Sequence, residues 1–318
     1  MDKLMLRYRI AGVTVGLVPA AGMRELDNFA PFLIEETDET VKQGPEQVRE
    51  QVPEHVIVVR AYDESSPPIS GEDGLELISE DLVNRLYLKD NTLIKRTAMQ
   101  EGDSRCMWTF MDITDFSRAD VYVPSTWVDY PGVANAFMFE KMLLKHGAIM
   151  LHCSLIEYNN LGIAFTAPSQ TGKSTQAQLW QDYRGAEQIN GDRAILRVFE
   201  DGVYAYGSPW AGSSAVYVNR KIKLEAIVAL SQAKQNTAVR LGFTEALQYF
   251  LMGTSLPAWD EDLLNAGLSA IEKALSGVKL VHLACTPDER AVAALEDYLF
   301  PDPFSETSAN LEGANNAV

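Results

Sequence analysis

Lys173 and Ser174 stand within the run Ala167-Pro168-Ser169-Gln170-Thr171-Gly172-Lys173-Ser174-Thr175, between an apolar stretch ending at Thr166 and an amphipathic stretch that follows. A loop at such a junction can hold an anion. The first N–H groups of a helix have no intrahelical acceptor, and the helix dipole adds positive potential at the same end. A phosphate chain satisfies both. Ser169, Gln170, Thr171, Gly172 and Thr175 would line it, with Gly172 letting the backbone curl close. Lys173 would reach the β and γ oxygens, and the Ser174 hydroxyl would ligate magnesium. The ligands expected from this chemistry are ATP, or another nucleoside triphosphate, and Mg2+.

The run departs from G-x-x-x-x-G-K-[ST] because Ala167 stands where the first glycine belongs. That glycine serves conformation, so alanine is tolerated if its φ is negative. Pro168 removes one N–H from the loop. The plain alternative is a Thr-Gly-Lys-Ser-Thr at an ordinary turn. Phosphoryl transfer also asks for a carboxylate, to complete a metal site or take a proton. Asp192, in Ile189-Asn190-Gly191-Asp192-Arg193, lies about one helix after the loop and beside it if the strands are neighbours. Asn-Gly-Asp is equally a turn signature in its own right, and both readings stand at this point.

These residues need elements to position them. Residues 133–146 carry apolar side chains at helical spacing, including Phe137, Met138, Met142 and Leu144. A strand over 148–156, a turn at Asn159-Asn160 and a strand over 162–166 then lead into the loop and a helix to about residue 182. The spacing predicts a hairpin of 194–199 and 203–206 about Asp201-Gly202, a strand over 278–283 and a closing helix over 288–298. Strands mixed with helices imply an α/β (α+β) domain with its ligand at the strand ends. Before residue 125 the chain reads as β-rich. Tyr8 and Ile10, then Val13, Val15 and Leu17, alternate about a bulge or tight turn at Gly12. Val56-Ile57-Val58-Val59 is a strand, Leu86–Leu88 and Thr92–Ile94 form a hairpin, and strands follow at 107–111 and 121–123. The acidic runs Glu35-Glu36 and Asp38-Glu39 read as solvated loop surface. The division expected is a β-rich domain over 1–130, a nucleotide domain over 131–300 and a disordered tail over 301–318.

A chain of 318 residues is long enough for two such domains, since one core rarely grows past about 250 residues. Its formal net charge of −17 argues against nucleic-acid or anionic-membrane partners, which need a basic surface. Cys106, Cys153 and Cys285 lie far apart without metal-ligand spacing, an odd count that points to a reducing compartment. The N-terminus has no apolar run of a signal peptide, and no stretch approaches the ~20 apolar residues of a membrane helix. The expectation is a cytoplasmic protein, with oligomeric state, homo-oligomer included, left open.

Taken together, His152, the strand ending at Thr166, Ser169 before Gly172-Lys173-Ser174, and Gly191-Asp192-Arg193-Ala194-Ile195-Leu196 resemble the HPr kinase/phosphorylase-like family, whose nucleotide domain is related to ATP-dependent phosphoenolpyruvate carboxykinase. The stretch Leu283-Ala284-Cys285-Thr286-Pro287-Asp288 resembles the strand–Cys-x-Pro-Asp–helix finish of small kinases of this kind. The likeness spans roughly 140–300. It implies a P-loop nucleotide domain behind a smaller β-rich one, with Lys173 on phosphate, Ser174 on magnesium and Asp192 as base and metal-side carboxylate. His152 would lie near the transferred phosphate, although a lone His at a strand end is ordinarily structural. Two departures stand out. Gly191 replaces the first Asp of the family's pair, and the signature by which true HPr kinases engage their protein substrate is missing. In its place is the run from Tyr206 to Ser214, followed by Asn219-Arg220-Lys221. That run is a candidate acceptor or phosphate contact with Arg220 or Lys221 offsetting charge, or a plain connector with a solvated basic pair. The implied activity is ATP-dependent transfer to a Ser-like hydroxyl on a small molecule or peptide other than HPr. The alternative is a nucleotide-binding accessory or sensor protein, in a peptide-modification pathway for example, that no longer transfers phosphate. An oxo-acid carboxykinase fits poorly, because the chain is short for one and offers no metal set beyond Ser174 and Asp192.

Overall fold

The computed structural model describes residues 5–34, 53–103 and 105–301. The acidic runs at 35–39 and the tail at 302–318 lie outside the described residues. The chain divides into two compact units, Met1–Ile149 with Leu256–Gly267, and Met150–Ser255 with Leu268–Val318.

The first unit is built on one eight-stranded sheet. Its strands are β1 (Leu6–Ile10), β2 (Val13–Val18), β3 (His55–Tyr62), β4 (Glu76–Glu80), β5 (Asn84–Lys89), β6 (Thr92–Ala98), β7 (Cys106–Asp112) and β8 (Arg118–Pro124), in the order β1-β2-β3-β8-β7-β6-β5-β4. The first break in alternation is a tight turn and not a bulge. Ala11 and Gly12 take φ of 51° and 83°, the two left-handed residues of a hairpin whose turn twist matches its strands. Ile10, Ile57, Leu93, Met107 and Met111 are fully buried, one face of the sheet closing the core.

Residues 133–146 do not form the single helix that their spacing predicts. A 3-10 segment, Pro131–Ala136, is followed by a short helix α1 (Phe139–Leu144), with Met138 between them at φ 50°. A left-handed residue cannot continue a right-handed helix. This stretch is grouped with the first sheet in the unit that runs from Met1 to Ile149. Thr109 Oγ1 donates to the Ala136 carbonyl at 2.7 Å, Lys95 Nζ donates to that of Asn135 at 2.7 Å, and Phe137 meets the Phe29 ring edge-on.

The second unit contains β9 (Ala148–Tyr158, beginning at the boundary), β10 (Leu161–Thr166), α2 (Lys173–Arg184), β11 (Glu187–Asn190), β12 (Arg193–Phe199), β13 (Gly202–Tyr206), β14 (Lys221–Gln232), β15 (Thr237–Arg240) and α3 (Phe243–Met252). After α4 (Glu261–Ser276), whose residues fall on both sides of the division, come β16 (Lys279–Cys285) and α5 (Glu289–Leu299). Asn159 and Asn160, at φ 52° and 61°, make the β9–β10 turn. The long β14 changes partner along its length: Lys221–Lys223 pair antiparallel with β13, and from Leu224 onward the strand runs parallel to β10. β16 lies parallel on the other edge of β14. Thus β10, β14 and β16 end at one side of the sheet, and the loop into α2 leaves from there. Parallel strands covered on both faces carry near-continuous apolar runs. Ala226, Val228 and Leu230 of β14 pack with Phe165, Trp180 of α2, Leu283 and Val292 of α5 in one core. No helix of the described residues is long and apolar enough to cross a membrane.

Candidate functional site

The loop that leaves β10 turns twice through left-handed backbone, at Gln170 (φ 64°) and Gly172 (φ 124°). The second value is glycine territory. A Cβ built on Gly172 would meet nothing within 4 Å, so conformation, and not crowding, calls for glycine there. Ala167 is not among the positive-φ residues; it is 7% exposed and sits in the core with Phe165 and Trp180. The missing first glycine therefore costs the turn nothing. Helix α2 begins at Lys173 with no side-chain cap, which leaves its first N–H groups directed out of the helix. Ser169, Gln170, Ser174 and Thr175 are exposed, while Thr171 and Gly172 are half-buried. Gln232, at the end of β14, donates through Nε2 to the Thr171 carbonyl at 3.5 Å.

The Lys173 side chain folds back across its own loop. Its Nζ donates to the carbonyls of Ala167 (3.0 Å) and Pro168 (3.4 Å), and the residue is 8% exposed. Burial pulls the ammonium below the usual lysine range, opposed by the charge of Asp192 and by Cys153. The ammonium is thus held inside the curl and not on a distant carboxylate.

β9 supplies His152 and the β11–β12 connection supplies Asp192. Their side chains meet, His152 Nε2 lying 3.1 Å from Asp192 Oδ1, with 37% and 28% of the side chains exposed. A backbone bond from Cys153 N–H to the Asp192 carbonyl at 2.9 Å fixes the two segments side by side. On the other side His152 N–H donates to the Gly253 carbonyl at 2.8 Å, just after α3. Arg193 Nε lies 3.4 Å from Asp192 Oδ2. Burial works to raise the Asp192 carboxyl. The His152 hydrogen bond and the charges of His152, Arg193 and Lys173 outweigh it and hold the group below the usual carboxylate range. Cys153, next to His152, is fully buried, and burial pushes its thiol up to about 12, which removes it as a nucleophile at neutral pH.

The run from Tyr206 to Ser214 is not a free connector. Gly212 packs against Asp192, and a Cβ there would come within 3.0 Å of the Asp192 Cβ and Cγ. Ser214 fills the space beside Gly191: a Cβ at Gly191 would lie 1.8 Å from the Ser214 hydroxyl and 2.4 Å from its Cβ. The site has one carboxylate in this turn because the room for a second is taken. Gly191→Asp should therefore lower stability by about 1–3 kcal/mol through overpacking, and Ser214→Gly in the same chain should recover most of it. Thermal midpoints of the three proteins check this, and an unchanged midpoint for Gly191→Asp alone contradicts it. The basic pair beyond the loop is engaged elsewhere. Arg220 Nη1 donates to Glu157 at 2.7 Å and to Glu187 at 2.6 Å, and Lys221 Nζ lies over the rings of Tyr204 (4.0 Å) and Phe199 (4.5 Å). Arg193 is the cation beside the carboxylate, and sequence reasoning gave it no role.

Among the described residues no group of three or more His, Cys, Asp or Glu side chains is placed to hold a metal ion alone. Magnesium needs none. It keeps several waters and is commonly bound through one or two carboxylates together with substrate phosphates. Hard oxygen donors of that kind, an exposed Ser174 hydroxyl and an ionised Asp192, fit such a cation.

No protein-family model matches the chain, and no curated protein matches it. Among solved structures, the Hpr(Ser) kinase/phosphatase from Coxiella burnetii is similar, at 13% identity and a TM-score of 0.29, over 52% of this chain and 93% of that one. This is a distant fold likeness, and at that TM-score it carries no part of the functional argument.

Proposed function

We propose that this protein binds ATP with Mg2+ at the 167–175 loop and transfers the γ-phosphoryl group to a hydroxyl on a small molecule or peptide. The observation that carries the proposal is a convergence. Thr166, where the loop leaves β10, pairs with Cys153, whose N–H donates to the Asp192 carbonyl, so the loop, His152 and Asp192 come together from three segments beside the uncapped start of α2. The loop N–H groups and Lys173 hold the phosphate chain. Ser174 and Asp192 would hold the cation, which would supply neutralisation of phosphate charge. Asp192 accepts the proton of the attacking hydroxyl as the new O–P bond forms, the bond to the β-phosphate oxygen breaks, and ADP leaves with that electron pair. His152 keeps the carboxylate aimed. Most of the rate comes from positioning and charge stabilisation, since phosphoryl transfer asks little covalent chemistry of a protein.

A second reading is a nucleotide-binding accessory protein without transfer, and the single carboxylate at Gly191-Asp192 is the observation that favours it. Calorimetric titration with ATP, in EDTA and in Mg2+, followed by incubation with γ-labelled ATP and a panel of hydroxyl-bearing small molecules and Ser-containing peptides, separates the two. Label moving to an acceptor supports the kinase. Tight Mg2+-dependent binding without label transfer supports the accessory protein, and no binding in either condition removes both.

A further inference from the structure

Asn190 closes β11 and is wholly buried, yet all of its polar capacity is directed at the candidate site. Its Oδ1 accepts from the backbone N–H groups of Asp192 (3.0 Å) and Arg193 (2.7 Å). Its Nδ2 donates to the carbonyls of Ser208 (3.0 Å) and Trp210 (3.2 Å). The orientation of the amide is forced, since turning it over would set donors against donors and oxygens against oxygens. No other side chain of this size offers an acceptor on one side and two donors on the other, apart from the longer glutamine. Ser208, also wholly buried, extends the bridge by donating from Oγ to the Arg193 carbonyl at 2.5 Å.

We infer that Asn190 is a positioning residue for this site, joining the Asp192 turn to the loop at 208–212 so that the carboxylate and the backbone lying against it move as one body. Being fully buried, Asn190 touches no ligand. It acts through Asp192, whose amide it holds, through Arg193, whose guanidinium flanks the carboxylate, and through the loop whose Gly212 packs on the Asp192 side chain. The inference rests on the reading of Asp192 as the metal-side carboxylate of a nucleotide site. It adds that the loop at 208–212 is part of that site, held there from the far side of the turn.

The test is the affinity for ATP in EDTA and in Mg2+, measured by calorimetry on the full chain and on Asn190→Ala and Asn190→Asp. The aspartate keeps the shape and the acceptor but turns an oxygen onto the two carbonyls. Supporting groups behind a metal ligand commonly contribute about 10–100-fold to metal affinity. Both variants should bind ATP in EDTA as the wild type does, while the factor by which Mg2+ tightens binding falls by about 10–100-fold. Where transfer is measurable, the KM for ATP in Mg2+ should rise in step with that loss. A Mg2+ factor equal to that of the wild type in both variants overturns the inference. So does loss of the Mg2+-free affinity in both, which marks a residue that only holds the fold. A wild-type protein whose ATP binding ignores Mg2+ removes the proposed function itself, a result distinguishable because it needs no variant.

Discussion

Lys173→Ala is expected to weaken ATP binding in Mg2+ by roughly a hundredfold, the equivalent of one or two charge-assisted hydrogen bonds. Any transfer activity should fall by about a thousandfold, because developing charge on the phosphoryl oxygens loses one of its cations. The fold should survive. In the protein alone the ammonium is spent on two carbonyls of its own loop and is held in a buried place that disfavours its charge. Removing it costs those bonds and relieves that burial. The pH dependence gives a second handle. Folding lowers this pKa, so the unfolded chain binds more protons than the folded one as the pH climbs toward the ordinary lysine value, and the group adds stability with rising pH there. The alanine variant should lack that alkaline rise. Calorimetry at neutral pH and denaturant melts on the alkaline side check the two halves. Binding within a few-fold of the wild type by Lys173→Ala, with the alkaline slope intact, would remove the loop from the argument.

How far the sequence could be read depended on the range of each interaction. The β9–β10 hairpin was legible, since Asn159 and Asn160 adopt the left-handed turn that asparagine tolerates and alternation marks the strands around them. At Ala11-Gly12 only a break was legible, because a bulge and a turn both suit Gly12 and alanine does not favour the left-handed φ that Ala11 takes. The start of α2 was legible for the same local reason. Strand β14 was not recognised, although it lies at the centre of the second sheet; its stretch Ala226-Ile227-Val228-Ala229-Leu230 is buried on both faces and therefore shows no period. The break at Met138 was hidden because the apolar spacing continues straight across it. At the site, Lys173 and Asp192 were nameable from type and order alone. That His152 would meet Asp192 follows from β9 lying beside β12, a pairing set by the whole sheet. Asn190 was visible only as a turn signal, because its bonds to Ser208 and Trp210 cross eighteen and twenty residues of sequence.

The change expected to cost most is Asp192→Asn, through loss of the proton acceptor and of the metal-side charge together. Transfer should fall by about a thousandfold or more, within the range that a positioned base and an electrostatic group supply. Binding of ATP in EDTA should be unchanged or tighter, since a carboxylate beside a triphosphate repels it. That split separates this variant from Lys173→Ala, which weakens both. The wild-type profile has a definite shape as well. With its folded pKa below the ordinary carboxylate range, Asp192 is ionised throughout neutral pH, and a cation bound beside it shifts the balance the same way. Rate should be flat across neutrality on the acid side and fall only as the pH drops through the depressed value. The stability that this group contributes is complete above its unfolded pKa and is lost over the same acid window. His152→Ala removes the leading interaction that opposes burial, so the Asp192 carboxyl should rise and the acid limb of the rate should move toward neutrality. If His152 is a bystander the limb stays where it is. If Asp192 is only a turn residue, the asparagine variant, which keeps the backbone bonds from Asn190, transfers phosphate as well as the wild type, and the carboxylate has no part in the chemistry.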